Sequence, residues 1–132
     1  MKRIGLVLCV ITLAACAREG PRQAASIFPK EVGAWKLRGT GFVVPTAVPD
    51  EVRGLGLKVA QSADYDGPGQ LTALVCELTS GAGAFEAEQK WRPMADTVAF
   101  HKGSYFTVIH WQSADRAAVS AFVREMEKRL GE

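Results

Sequence analysis

The residue types that could serve as nucleophile or base in the folded part of the chain are Cys76, His101 and His110. Thiol catalysis needs a cysteine whose thiolate is generated by a nearby imidazole. Cys76 lies in the middle of an apolar run, where a thiol is usually a small hydrophobic side chain. His101 lies in a predicted turn that exposes it to solvent, and His110 alternates with apolar residues on a predicted strand. The three positions also lack the paired spacing of zinc ligands.

Two further patterns could form a functional site: a pair of carboxylates and a glycine-rich turn. Asp64 and Glu77 could approach each other across a predicted hairpin and act as acid and base on a glycoside, although a strand-end glutamate is more often solvated or ion-paired. The turn at 81–83 has the position of a dinucleotide-binding loop, but Glu86 replaces its third glycine and would repel a pyrophosphate. We therefore predict no catalytic residue, no metal ion and no cofactor.

The aromatic side chains are the remaining candidates for a functional surface. Four of them are distributed over the predicted strands and could line a carbohydrate- or peptide-binding face: Trp35, Tyr65, Tyr105 and Trp111. In a small domain without a disulfide, the alternative is that such residues form the core. We favour the core interpretation for most of the aromatic residues and retain these four as a possible binding surface.

The N-terminus has the organisation of an export signal. Two basic residues precede a ten-residue apolar segment, Ile4 to Leu13, which is too short to span a bilayer. The sequence Leu13-Ala14-Ala15-Cys16 resembles the lipobox of bacterial lipoproteins. The resemblance implies diacylglyceryl transfer to the Cys16 thiol, cleavage before Cys16 and acylation of the new N-terminus, and several acyl chains anchor a protein stably. A plain signal peptide with a chance cysteine and an uncleaved anchor remain the alternatives.

The residue after the lipidated cysteine indicates the destination. An aspartate there retains enterobacterial lipoproteins in the inner membrane, so Ala17 implies the outer membrane, with the domain facing the periplasm. Cys9 would leave with the signal peptide, and Cys76 alone would remain, so we expect no internal disulfide. The predicted organisation is a signal peptide at 1–15, a lipidated cysteine and tether at 16–28, and a single domain at 29–132.

The composition is that of one ordinary folded domain, with 48% hydrophobic and 23% charged residues in 132 positions. Lys2 and Arg3, two of the 16 basic residues, belong to the predicted signal peptide. Without them, 14 basic side chains face 14 acidic ones. A neutral domain lacks the electrostatic footprint of nucleic-acid binding, and we predict no nucleic-acid partner.

Periodicity and turn residues predict the order of elements. The last helix carries an apolar stripe at helical spacing, and the strand at 70–79 is apolar on both faces, which favours a central position. The predicted class is α+β: a two-layer sandwich with a mainly antiparallel sheet of about five strands and both helices on one face. The predicted elements are strands at 32–37, 57–65 and 70–79, a helix at 82–92 capped by Ser80, two strands within 96–111, and a final helix ending at Gly131.

Three short motifs connect the chain with a known group of domains: Gly33 to Trp35, Ala84-Phe85, and Lys102 to Tyr105. They resemble the Gly-Trp opening, the Ala-Phe helix start and the Lys-Gly-x-Tyr hairpin of an uncharacterised family of secreted bacterial domains, a domain-of-unknown-function family. The resemblance covers most of residues 29–130. It implies no activity, cofactor or site residue.

The functional expectation follows mainly from the predicted anchor. We expect a non-catalytic, periplasm-facing accessory or interaction module of a larger envelope assembly, held to the membrane through the lipid on Cys16 and contacting an envelope protein. A lipoprotein that binds a small ligand or a glycan is the first alternative. An envelope hydrolase is the second.

Overall fold

The computed structural model describes residues 27–131, which form one antiparallel sheet and two α-helices. The strand order across the sheet is β1-β2-β3-β4-β6-β5. The mixed α+β class and the antiparallel sheet are confirmed, and the sheet has six strands because the two-residue β1 adds to the five expected. The elements are β1 (Glu31–Val32), β2 (Trp35–Phe42), β3 (Leu57–Gly67), β4 (Gly69–Leu78), α1 (Gly81–Lys90), β5 (Thr97–Lys102), β6 (Tyr105–Gln112) and α2 (Arg116–Leu130).

Local signals place the boundaries of several elements close to the predicted ones. The Ser80 side chain accepts a hydrogen bond from the Gly83 N–H at 3.0 Å, which confirms the predicted N-cap of α1. The turn between β5 and β6 contains Gly103 with φ +56°, a conformation that favours glycine. β2 runs on to Phe42, and two short 3₁₀ helices, Pro45–Ala47 and Asp50–Val52, occupy the following connection.

β4 is the central strand, as its two-sided apolar pattern predicted. It pairs with β3 on one side and with β6 on the other. Alternate side chains of a strand point to opposite faces, and β4 buries Ala73 and Val75 on one face and Cys76 and Leu78 on the other. The sheet is therefore covered on both faces around the middle of this strand.

The two helices cover opposite faces of the sheet, so the prediction that they share one face is wrong. α2 packs Phe122 against Tyr65, on the face that also carries Ala73; we call this the α2 face. α1 packs on the face that carries Cys76 and Phe106, the α1 face. Each helix packs on a different half of the sheet. The buried residues in the first part of β4 lie on the α2 face, and those at its end lie on the α1 face.

The core begins slightly before the predicted domain boundary at residue 29. Ile27 and Phe28, which the prediction assigned to the tether, are 4% and 1% exposed and belong to the core cluster under α2. The predicted signal peptide, Cys16 and most of the tether lie outside the described residues.

Candidate binding groove

An open groove lies between the start of β5, the loop before it and one side of α2. It has a volume of about 490 Å³. Its apolar lining includes Met94, a residue that is 58% exposed, together with Val98, Trp111, Val119 and Val123. The groove therefore offers apolar surface that is accessible from solvent.

α2 contributes one wall of the groove through a second stripe beside its core-facing one. Arg116, Val119, Ser120, Val123 and Arg124 follow at i, i+3, i+4, i+7 and i+8, which places them on one side of the helix. All five line the groove. One helix thus serves both the core and the candidate site.

The loop before β5 forms the opposite wall and is tied to the sheet. The backbone N–H of Trp111 donates to the carbonyl of Asp96 at 3.0 Å. The Thr97 hydroxyl donates to the carbonyl of Met94 at 2.9 Å. These two bonds hold the loop in place as a wall of the groove.

The charged groups of the groove are mostly cationic. Arg116 and Arg124 stand at the two ends of the α2 stripe, about 12 Å apart along the helix axis at 1.5 Å per residue. Both are exposed, and within residues 27–131 neither forms an ion pair. Asp96 is the one carboxylate among the lining residues. The arrangement suits a ligand with an apolar body and an anionic group.

Two of the four aromatic residues predicted as a binding surface belong to the core. Trp35 is 1% exposed and donates its indole N–H to the Ala118 carbonyl at 3.0 Å. Tyr65 is also 1% exposed, and its hydroxyl donates to the Pro29 carbonyl at 2.7 Å. Burial raises the pKa of Tyr65 well above its usual range, although Arg129 opposes the shift. Neither side chain can meet a ligand here, which corrects the prediction for these two residues.

The other two aromatic residues are partly accessible but do not form one surface with each other. Trp111 lines the groove. Tyr105 lies at the opposite end of β6, about 20 Å away for six strand residues. Of the four predicted residues, the structure brings Trp111 alone into the groove.

The structure also separates Cys76 from the histidines. Cys76 is completely buried on the α1 face, and burial raises the pKa of its thiol to about 12. His101 lies in the same row of the sheet, but β6 separates β4 from β5, and Phe106 stands between Cys76 and His101. Neighbouring strands are about 4.8 Å apart, so the backbones of the two residues are about 10 Å apart. Cys76 and His101 therefore do not form a thiol–imidazole pair.

His101 is not in the hairpin turn, as the sequence suggested, but on β5. Its Nδ1 contacts the carboxylate of Glu88 from α1, and its ring packs edge-on against Phe85 at a centroid distance of 5.4 Å. About a third of each of these two side chains is exposed. The contact ties α1 to the sheet. His110 is exposed on β6.

The two carboxylates considered as an acid–base pair point to opposite faces of the sheet. Asp64 pairs in register with Thr72 and accepts a hydrogen bond from its hydroxyl at 2.9 Å. Glu77 is five residues further along β4 than Thr72, so its side chain lies on the other face. There it is 3.9 Å from the Lys58 ammonium. The pair needed for glycoside chemistry does not exist.

The predicted glycine-rich turn at 81–83 forms the first turn of α1, and Gly83 has a packing role there. A Cβ at Gly83 would lie 2.9 Å from the Leu55 carbonyl oxygen, so a larger residue does not fit. Residues 27–131 also contain no group of three His, Cys, Asp or Glu side chains that could hold a metal ion. In the same part of the chain no helix is long and apolar enough to cross a membrane.

Sequence reasoning missed most of the groove. Val123 was assigned entirely to the core stripe of the last helix, and Arg116, Arg124 and Met94 were not singled out. The available signal was the second stripe of α2, in which two arginines bracket two valines at helical spacing. Comparison of the chain with protein-family models, with curated proteins and with solved structures returned no match.

Proposed function

We propose that this protein is a lipid-anchored, non-catalytic interaction module of the cell envelope, which binds a component of a larger envelope assembly through the groove between β5 and α2. The lipid on Cys16 would hold it at the outer membrane, facing the periplasm. The observation that carries the binding role is the groove itself, with apolar walls between two arginines that have no ion-pair partner among the described residues.

Two further observations favour binding over catalysis. The Cys76 thiol is buried, and burial opposes formation of its thiolate by raising its pKa to about 12. The acid–base candidates lie outside the groove, whereas catalytic groups converge on one cleft. These candidates are Asp64, Glu77, His101 and His110. The groove instead combines apolar surface with a few charged groups, which is typical of binding sites.

A lipid anchor strengthens the argument for a partner at the membrane. Anchoring raises the effective concentration of a module near a membrane-associated partner without any new contact. A modest groove such as this one then suffices for a stable association.

A module for a small ligand is the second candidate. The groove volume of about 490 Å³ lies in the usual range for small-molecule sites. A small apolar anion would match its lining, whereas a glycan would find Trp111 as its aromatic platform.

The test is photo-crosslinking in the native cells, with a photoreactive amino acid at Ser120 in the groove and, as the matched control, at Glu86 on the outer side of α1. The expected result is one dominant envelope-protein adduct from position 120 and none from position 86. A Cys16→Ala version should stay unprocessed and lose the adduct.

The mass of the crosslinked adduct distinguishes the interaction module from the ligand-binding module. A small-molecule adduct at position 120 would replace the interaction module by the ligand-binding alternative. Equal capture of abundant neighbours from both positions would refute the groove as a binding site.

A further inference from the structure

The two edges of the sheet differ in their protection against pairing with another strand. At the β1–β2 edge, a bulge between Leu37 and Gly39 interrupts the pairing with β3, and Lys36 and Arg38 carry charge. β5 at the other edge pairs with β6 without a bulge and has neither proline nor formal charge before Lys102. Charges, prolines and bulges are the usual protection of edge strands. Among the described residues, β5 is therefore the open edge.

The pairing with β6 determines which backbone groups β5 presents at that edge. The Trp111 N–H donates to the Asp96 carbonyl, and the register continues from there without interruption. In an antiparallel pair, alternate residues exchange hydrogen bonds with the partner strand. Val98 therefore bonds to β6, whereas the N–H and C=O groups of Thr97 and Ala99 point outward.

The groove lies beside these outward-pointing groups. Its lining includes Thr97 and Val98 of β5 and the second stripe of α2. A strand added to β5 would run between that edge and α2, and every second side chain would point into the groove. The 12 Å or so between Arg116 and Arg124 corresponds to about four residues of an extended chain.

Charge restricts the nature of the added segment. The two arginines at the ends of the α2 stripe favour a segment that carries an anionic group beside its apolar side chains. The tether of this chain does not fit that requirement, because residues 17–26 contain Arg18 and Arg22 against one carboxylate, Glu19. The tether is therefore not the expected occupant.

We infer that β5 accepts an extended peptide of a partner protein as a seventh strand, with apolar side chains in the groove and a carboxylate at Arg116 or Arg124. The inference rests on the proposed function, since it uses the same groove, and it names the kind of partner: a protein with a terminal or loop segment that combines alternating apolar residues with an acidic one.

The first experiment selects peptides against the full chain held in phosphatidylcholine nanodiscs, with a phage-displayed library of random octapeptides and empty nanodiscs for counter-selection. The enriched peptides should share alternating apolar residues and at least one Asp or Glu. The double variant Arg116→Glu/Arg124→Glu should weaken the best peptide by about tenfold or more, as expected for lost charged hydrogen bonds. Lys128→Glu, a single charge reversal on α2 outside the groove, should leave its affinity unchanged, and each of the single variants Arg116→Glu and Arg124→Glu should weaken the peptide.

The second experiment distinguishes strand addition from simple coverage of the groove. With saturating peptide, hydrogen exchange resolved to single amides should slow at Thr97 and Ala99 and stay unchanged at Val98. Ala99→Pro removes one outward N–H that β6 does not use, and proline is tolerated at such edge positions. This variant should retain its melting temperature and lose the peptide, and N-methylation of the peptide at the pairing residues should have the same effect.

Each outcome bears on the inference separately from the proposed function. Failure to enrich any peptide over empty nanodiscs, enrichment without acidic residues, or exchange that slows uniformly would overturn strand addition. The proposed function would survive these results if crosslinking from Ser120 still captured one envelope protein. If crosslinking captured a lipid instead, both the peptide inference and the protein-partner proposal would fail.

Discussion

At the scale of single residues, the Cys76 thiol shows how burial changes the ionisation of a side chain. Its side chain is completely buried on the α1 face, with Ala60 and Phe106 as its cross-strand neighbours. Burial in an apolar environment disfavours the thiolate, so the pKa of Cys76 rises from 9.0 to about 12. Because the pKa of Cys76 differs between the folded and unfolded chain, the free energy of unfolding depends on pH in the alkaline range.

We predict that the free energy of unfolding decreases between about pH 8 and pH 10, and that Cys76→Ala reduces this decrease. The thiol ionises near pH 9 in the unfolded chain but near pH 12 in the folded one. Its contribution to stability is therefore complete below pH 9 and is lost as the pH rises towards 12. Urea unfolding of both proteins at the two pH values measures the difference.

Tyr65 serves as an internal reference for this measurement. Its pKa is raised in the same direction, but its effect appears mainly above pH 10 and is common to both proteins. An equal decrease in the wild type and in Cys76→Ala would contradict the burial argument.

At the scale of elements, α1 shows how a short helix is secured at both ends. Ser80 caps its first turn through the Gly83 N–H. Its outer side carries the Glu86–Lys90 ion pair at 2.9 Å, which contributes little because both groups are about half exposed. The cap and the buried alanines therefore matter more than the ion pair.

We predict that Ser80→Ala lowers the free energy of unfolding by about 1 kcal/mol, the usual effect of removing an N-cap. The Gly83 N–H would lose its partner at the start of the helix. Ser120→Ala in the middle of α2 is the matched control, since Ser120 is exposed and this change should stay within about 0.5 kcal/mol. Urea unfolding compares the two variants, and equal effects would show that the cap contributes nothing.

At the scale of the whole molecule, the two helices protect different halves of a shared sheet. The buried residues of β4 change face along the strand, from Leu71, Ala73 and Val75 under α2 to Cys76 and Leu78 under α1. β4 also has two strands or more on each side. Its middle is consequently the best protected part of the described structure.

We predict that the slowest amide hydrogens of the protein belong to the middle of β4, at Ala73 and Cys76. Their exchange requires the largest opening of the molecule, whereas the Val43 amide at the end of β2, which donates to the Ala60 carbonyl, exchanges through local opening at an edge. The difference should be about a hundredfold or more in rate. Residue-resolved hydrogen exchange on the full chain provides the measurement. Slower exchange in α2 than in β4 would contradict the central role of this strand.

The interactions that could be foreseen are those that involve neighbours in the sequence. Ser80 capping, the turn at Gly103 and the core stripe of α2 were all predicted, because each depends on a few adjacent residues. The central position of β4 was predicted from its apolar residues on both faces. The burial of Trp35 and Tyr65 was considered as one of two interpretations, and their partners, Ala118 and Pro29, are too distant in sequence to decide it.

The sequence by itself determined the order and type of the elements, since helix and strand periods, caps and turns are local properties. Tertiary structure alone decided which face each helix covers. A strand apolar on both faces, such as β4, accepts a helix on either one, and the choice depends on register across β3, β4 and β6. The same long-range packing brought Arg116 and Arg124 beside the open edge of β5, and so created a groove that no single segment specifies.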